Sequence, residues 1–307
     1  MGGFDPRVPD WAAFFSAEAF HSFLEAVEGE IKRRTLSYTM GDGVITLAFE
    51  GRPPEQYGLQ NLAQVCNQIE RPEWSGAISR HFDNVFQAAK ESGDLDALAA
   101  DFPRARRLLK VRLYHPDYLS AVEGRLAHEA LADGLLQVLV YDFPTTISTV
   151  KPEHAASWGR PMDELFAIAL DNVRANDPPR RENLELPDGA VVQALVGESF
   201  FVASQALALE DHLGDPPRYG ALVSVPHRHI VLYHPIRDRS VIQAIHAMIP
   251  MTQHFYQEGP GSISPSLYWR KTGAFMALPA RIEGKTIEFS PPPAFVEQVL
   301  EPLGGAE

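Results

Sequence analysis

The chain has a single cysteine, Cys66, so no intrachain disulfide can form. Cys66 shares the apolar side of a helical pattern with Leu59, Leu62 and Ile69 and is read as a buried thiol acting as a small hydrophobe. A nucleophilic role would need a neighbouring base and some exposure, and no local residue supplies either. Long apolar runs are missing: none approaches the ~18 residues a membrane-spanning helix needs, so no membrane partner is expected. Cations are scarce. Against 40 Asp and Glu stand 27 Lys and Arg, a net charge of −13. Phosphate recognition needs clustered cations, so no nucleic-acid partner is expected. The small basic groups at Arg104, Arg106 and Arg107 and at Arg180 and Arg181 sit among acidic residues and read as solvated turns or linkers. The start, MGGFDPRVPDW, lacks the basic-then-apolar order of a signal peptide, and Pro6 breaks the myristoylation pattern. A cytoplasmic protein is expected.

Complete catalytic motifs are absent too. His128 and Glu129 begin a zinc-protease pattern, but Ala132 stands where the second histidine belongs. Gly197, Glu198 and Ser199 begin a nucleophile elbow, but Phe201 replaces its closing glycine, so a strand-to-strand turn is expected there. Neither phosphate-cradling glycine motif occurs. Asp142, Asp163, Glu164 and Asp171 are scattered rather than paired. No metal and no cofactor are expected.

What is present is an alternation of helical and extended patterns. Phe20, Phe23, Leu24, Val27 and Ile31 recur at helical spacing over residues 16–34, with Ser16 as cap and Phe14 and Phe15 as staple. TLSYTM and VITLAFE flank Gly41, Asp42 and Gly43 and predict a hairpin with one dry face. Helices follow over 59–69 and from Pro72 to about residue 89. Residues 92–107 carry few large apolar side chains and read as a connector between an N-terminal unit (1–100) and a C-terminal α+β domain (106–307). Beyond it come a strand over 108–114, a short helix or turn near Asp117, and a helix-like run to about Leu131. Then follow extended runs over 135–141 and 145–150, a helix over 161–176, and a loop, DPPRRENLELPDG. VRLYHP at 111–116 and IVLYHP at 230–235 echo each other, more simply by chance than by duplication. The fold class is α+β, with mixed or antiparallel sheets covered by helices.

The C-terminal third is the most specific stretch. Two hairpins and an amphipathic helix over 240–257 are expected, the helix striped by Val241, Ile242, Ile245, Met248, Ile249, Thr252, Phe255 and Tyr256. Pro250 should kink it and Gly259 end it. His246 and His254 lie off the stripe and should face solvent. VPHRHIVLYHP holds His227, His229 and His234 among eleven histidines. A continuous strand would put His227 and His229 on one face, as a metal site requires. Pro226 argues for a bend at 226–228 instead, and so for a polar hairpin tip or a ligand-contacting mouth. Contact candidates are therefore His227, Arg228, His229 and His234. Most aromatic residues at strand ends, among them Phe200, Phe201 and Tyr114, should be core. Tyr268, Trp269 and Arg270, beside Lys271, are further candidates: most simply core, they also resemble an exposed hairpin tip.

The order GALVSVPHRHIVLYHPI, a helix, then SISPSLYWRKTGAFMAL resembles the YtpQ-like family of uncharacterised bacterial proteins. ELFAIALDNVR ahead of LVGESFFVAS strengthens the likeness, which covers residues 135–278; LQNLAQVC extends it more diffusely. The resemblance implies a bacterial cytosolic protein, provides no catalytic residues, and makes a shared metal role for His227 and His229 doubtful. The residues favour a non-catalytic module binding a protein or peptide. The alternative is a hydrolase with a convergent His and Arg site near 226–229.

Overall fold

The computed structural model describes residues 8–34, 37–41, 43–48, 54–91, 95–121, 126–144, 146–186, 191–284 and 286–304. Thr35, Leu36, Asp42, Phe49 and Glu50 of the expected hairpin lie outside them. So do 1–7, 92–94, 122–125, Thr145, 187–190 and the Ala89 side chain. The fold is α+β and divides into two compact units. The first is Met1–Glu91 with Glu258–Pro260; the second is Ser92–Gln257 with Gly261–Glu307. No helix among the described residues is long and apolar enough to cross a membrane.

In the first unit α1 (Ala17–Arg33) begins where Ser16 accepts a hydrogen bond from the Ala19 amide at 3.1 Å. The expected stripe is its buried face. β1 (Ser37–Gly41) and β2 (Val44–Ala48) form the hairpin, and β3 (Glu55–Gly58) adds an unforeseen third strand. α2 (Gln60–Asn67) and α3 (Trp74–Glu91) follow. Phe23, Ile31, Ile45, Leu62, Ile78 and Phe82 close one core, in which Cys66 is wholly buried. Burial pushes that thiol up to about 12, far from a reactive thiolate.

The second unit opens with two short helices where a connector was expected. α4 (Leu95–Ala100) and α5 (Phe102–Leu108) are separated by Asp101, whose side chain accepts from the Arg104 amide at 3.1 Å. Leu98 and Ala105 bury small apolar surfaces that few large residues announce. β4 (Leu109–Tyr114), α6 (Asp117–Ala121), β5 (His128–Ala132), β6 (Leu135–Asp142) and β7 (Ile147–Thr149) come next. The helix-like run before Leu131 is thus strand β5 where described, held by pairing to β6. In this sheet β4 and β5 flank β6, which β7 also pairs. α7 (Pro152–Ser157) and α8 (Met162–Asn176) follow, with α8 packed on β4.

Part of the expected loop is β8 (Arg180–Glu185), the exposed edge of a six-stranded antiparallel sheet. The rest of that sheet is β9 (Val191–Val196), β10 (Ala221–His227), β11 (Ile230–Pro235), β12 (Leu267–Lys271) and β13 (Ala274–Leu278), in the order β13-β12-β10-β11-β9-β8. Between β9 and β10 run a 3-10 helix, Val202–Ala208, and α9 (Glu210–Leu213), so residues 197–199 lead from a strand into a helix, not into a strand. The sheet is covered on both faces. Leu222, Leu232 and Ala194 meet α10 (Ser240–Glu258), whereas Val223, Val231, Tyr233 and Leu195 meet the 3-10 helix. That double burial explains why ALVSV and IVLY are continuous apolar runs. α10 carries Pro250 inside it, and Thr252 Oγ1 shares a 2.8 Å hydrogen bond with Ser224 Oγ. His246 and His254 are exposed. β14 (Ala280–Glu283) and β15 (Thr286–Phe289) form an unforeseen hairpin before a helical segment of Pro293–Phe295, a π-turn Val296–Leu300 and Glu301–Gly304. The two echoing hexapeptides end up in different sheets, β4 flanking β6 and β11 between β10 and β9.

Candidate functional site

The bend expected at 226–228 is displaced: Pro226 lies inside the central strand β10, and the turn to β11 is made by Arg228 and His229. β10 and β11 pair from Ala221↔Pro235 to Ser224↔Leu232, then slip before His227↔Ile230. Pro226 has no amide to donate, and the slip places it where none is needed. Arg228 and His229 form the tip. Three neighbouring segments fix it: the Arg228 amide donates to Gly261 O (3.1 Å), the Ala203 amide to Arg228 O (3.1 Å), and the Gly197 amide to His229 O (3.2 Å). Gly261, at φ +77°, lies so close to Arg228 that a Cβ there would fall 2.7 Å from Arg228 Cδ.

Hydrogen bonds assign the imidazole tautomers. Arg228 Nε must donate, so His229 Nε2 accepts at 2.9 Å and His229 Nδ1 carries the proton, given to Gly197 O at 3.2 Å. His227 Nδ1 accepts from the His229 amide at 3.2 Å. Both lone pairs are therefore engaged. The ring centroids stand 6.1 Å apart. Among the described residues no group of three or more His, Cys, Asp and Glu side chains is placed to hold a metal ion. Burial, with the charge of Arg228 adding to it, holds both imidazoles down at about 4, so they are neutral at pH 7.

That neutrality has a consequence for stability. In the unfolded chain these rings protonate near pH ~6.5. The unfolded state therefore takes up protons first as pH falls, and stability should drop between about pH 6.5 and 4. His212 and His234, also held down by burial, act in the same direction. Urea midpoints at pH 7, 5.5 and 4 should fall steadily in the wild type and less steeply in a His227→Gln/His229→Gln variant.

Arg228 is the unusual group. Its guanidinium lies 4.5 Å from the centroid of Phe200, an aromatic ring left 47% exposed. Among the described residues no carboxylate forms an ion pair with Arg228. Burial, with the nearby charge of Arg112 adding to it, pushes its pKa down to about 10, so it remains a cation at pH 7. Arg112 itself stacks 4.9 Å from the centroid of Tyr114, which stacks in turn on Tyr118 at 4.2 Å. The tip thus presents a guanidinium on an exposed ring, within the electrostatic reach of a second cation, Arg112, a combination suited to planar oxyanions beside apolar surface.

The other expected contact residues lie elsewhere. His234 is buried at the far end of β11, with Nδ1 2.8 Å from Val191 O and Nε2 3.3 Å from Ser240 Oγ. Tyr268, Trp269 and Arg270 are not an exposed tip. The tip of that hairpin is Thr272 and Gly273, while the three candidates pair with Val223, Leu222 and Ala221 inside the sheet. Tyr268 is fully buried with its hydroxyl 2.7 Å from Ser264 Oγ; Trp269 donates to Tyr219 O at 2.7 Å. Arg270 is tied to Glu210 and to Leu207 O. Phe200 and Arg112 were not foreseen as site residues. A bulky aromatic after GES reads as core, and Arg112 acts on Arg228 through its charge from a strand more than a hundred residues earlier in sequence.

Behind the tip lies a buried charge cluster. Lys110 Nζ is 2.6 Å from Asp142 Oδ2 and 2.7 Å from Asp177 Oδ2, and 4.4 Å from the Phe201 ring centroid. Ser199 Oγ donates to Asp177 Oδ1 at 2.6 Å and accepts from the Phe201 amide at 3.1 Å, which anchors the turn that presents Phe200. Comparison of the chain with protein-family models, with curated proteins and with solved structures returns no match.

Proposed function

We propose that the chain is a non-catalytic binding module that captures an acidic segment of a protein partner at the 226–229 turn. One observation carries this reading: a partly buried guanidinium without a carboxylate counterpart among the described residues, stacked on a half-exposed phenylalanine. Burial penalises that isolated charge, and an incoming carboxylate relieves the penalty with charge-assisted hydrogen bonds. Arginine and aromatic residues in such settings are the usual energetic centres of interfaces. The hydrolase alternative is less well supported, because the imidazole lone pairs that a general base would use already accept hydrogen bonds from Arg228 and from backbone. The likeness to YtpQ-like proteins is carried by residue order over 135–278 and adds no catalytic residue to this reading.

The net charge of −13 opposes an acidic partner at long range, but the field of distant surface charges is screened within about 8–10 Å at physiological salt. Contact is decided by Arg228, Arg112 and Phe200. A fluorescein-labelled octapeptide of alternating glutamate and leucine should raise its anisotropy on titration with the protein. The glutamine counterpart should bind at least about tenfold more weakly, the loss of one charge-assisted pair. Equal binding of the two peptides would sink the reading.

A further inference from the structure

The six-stranded sheet of the second unit ends in two unlike edges. β13 packs against β5, whereas β8 is open on its outer side, with every residue exposed except the half-buried Leu184. Arg180 to Glu185 pair with Val196 to Val191 in an unbroken register, without a bulge, and no proline interrupts the strand. Bulges and prolines are devices that blunt an edge; β8 carries only charged side chains, and their order decides what they repel. Alternate residues of an edge strand aim their amides and carbonyls away from the sheet, where a further strand can bind them. Among the described residues, those of β8 make their hydrogen bonds and ion pairs with β9, with the Asp211 carbonyl through Arg181, and within the strand between Arg180 and Glu182. The charges of Arg180, Arg181, Glu182 and Glu185 cancel, in contrast to the −13 of the whole chain.

We infer that β8 is a homodimer interface, pairing antiparallel with β8 of a second copy about a two-fold axis at Asn183, so that the two sheets become one. Geometry restricts the register. In an antiparallel pair, facing residues share one face of the sheet, and their backbone groups point either both toward or both away from the neighbouring strand. Two identical edges can therefore pair only residues whose numbers differ by an even count, a residue with itself included. Two such registers overlap most of the strand. One sets Glu182 against Glu182 of the second copy, a like-charge clash on the axis. The other sets Arg181 against Glu185, Glu182 against Leu184 and Asn183 against itself, and symmetry repeats the opposite-charge pair. No like charges face each other in it. Charge order thus favours a second copy over an unrelated extended peptide, and the two-fold pairing closes the assembly because it consumes the open edge. Repulsion between two acidic chains is screened within about 8–10 Å at physiological salt. The inference is independent of the turn at 226–229, none of whose residues lies in β8.

Sedimentation velocity of the intact protein over a concentration series up to about 100 μM tests this. The expected result is a monomer–dimer equilibrium that goes no further. Arg181→Glu and Glu185→Arg each turn the facing opposite charges into like charges and should weaken dimerisation at least about tenfold. Mixing the two variants in equal amounts should restore it, because in the mixed dimer every facing pair again has opposite signs. The urea midpoint of Glu185→Arg should match the wild type, since the position is exposed. Arg181→Glu also loses the bond to the Asp211 carbonyl, and its rescue in the mixture shows that it still folds. A wild type that stays monomeric, a dimer indifferent to both reversals, or a mixture no tighter than either variant alone would overturn the proposal. So would growth into larger assemblies, or loss of octapeptide binding in Glu185→Arg, which would put that peptide on β8 in place of a second copy.

Discussion

Replacing Lys110 with methionine is expected to destabilise the second unit by about 3 kcal/mol or more, the cost of leaving buried charges uncompensated. Methionine keeps much of the packing against Phe201, so the loss is electrostatic rather than steric. Asp142 and Asp177 would then face each other without a cation, and Asp177 has a side chain only 10% exposed. The damage should spread to the tip, because Asp177 holds Ser199 and Ser199 holds the turn that carries Phe200. Burial pulls the Lys110 ammonium down, but the two carboxylates outweigh it and its pKa lies above the ordinary value. The linkage sign follows: its stabilisation is fully present at neutral pH and below, and is lost only as pH rises through the raised pKa. Urea unfolding at pH 7 and at pH 11 should therefore show the variant and the wild type converging at the alkaline end. A variant within 0.5 kcal/mol of wild type at pH 7 would mean the ion pairs contribute nothing.

Trp269→Ala should be as damaging, at about 3–5 kcal/mol, the range for emptying a buried aromatic site. The indole packs edge-on against Phe295 at 5.5 Å and satisfies the Tyr219 carbonyl. Its loss opens a cavity between β12 and the C-terminal segment and leaves that carbonyl without its partner. Phe200→Ala makes the control. That ring is half exposed, and its removal should change stability by less than about 1 kcal/mol while weakening capture of the acidic peptide. If Trp269 and Phe200 behaved alike in urea unfolding, the assignment of one to the core and the other to the tip would fail.

The contrast between these two aromatics shows where sequence reasoning succeeds. Features fixed within a few residues were legible: the Ser16 cap, the α1 stripe, the presence of a hairpin near 226–229 (though not that Pro226 stays in its strand) and the extent of α10. Each depends on periodicity or on the chemistry of one turn. Burial of Tyr268 and Trp269 was the simpler reading of YWRK and is what the structure has; burial of Arg270 was not legible, because a cation beside an aromatic pair also fits a wet tip. Arg270 is buried because Glu210 and the Leu207 carbonyl, some sixty residues earlier in sequence, neutralise and bind it. Strands β3, β8 and β5 were missed for a related reason. They are short or polar, and pairing to a neighbour fixes them more than their own pattern does. The site itself was half legible. His227, Arg228 and His229 stand out in one motif, but what makes Arg228 distinctive comes from Phe200, Gly261 and Arg112, which the fold brings to it.

Anisotropy titration of the glutamate–leucine octapeptide with wild type, Arg228→Gln and Arg228→Lys tests the capture of acidic segments most directly. The expected result is a loss of about thirtyfold in affinity for Arg228→Gln, the size of an interface hot spot, with lysine restoring only part because it lacks the planar fork. Binding by Arg228→Gln as tight as the wild type, with the fold intact, would contradict the assignment of that guanidinium as the anchor.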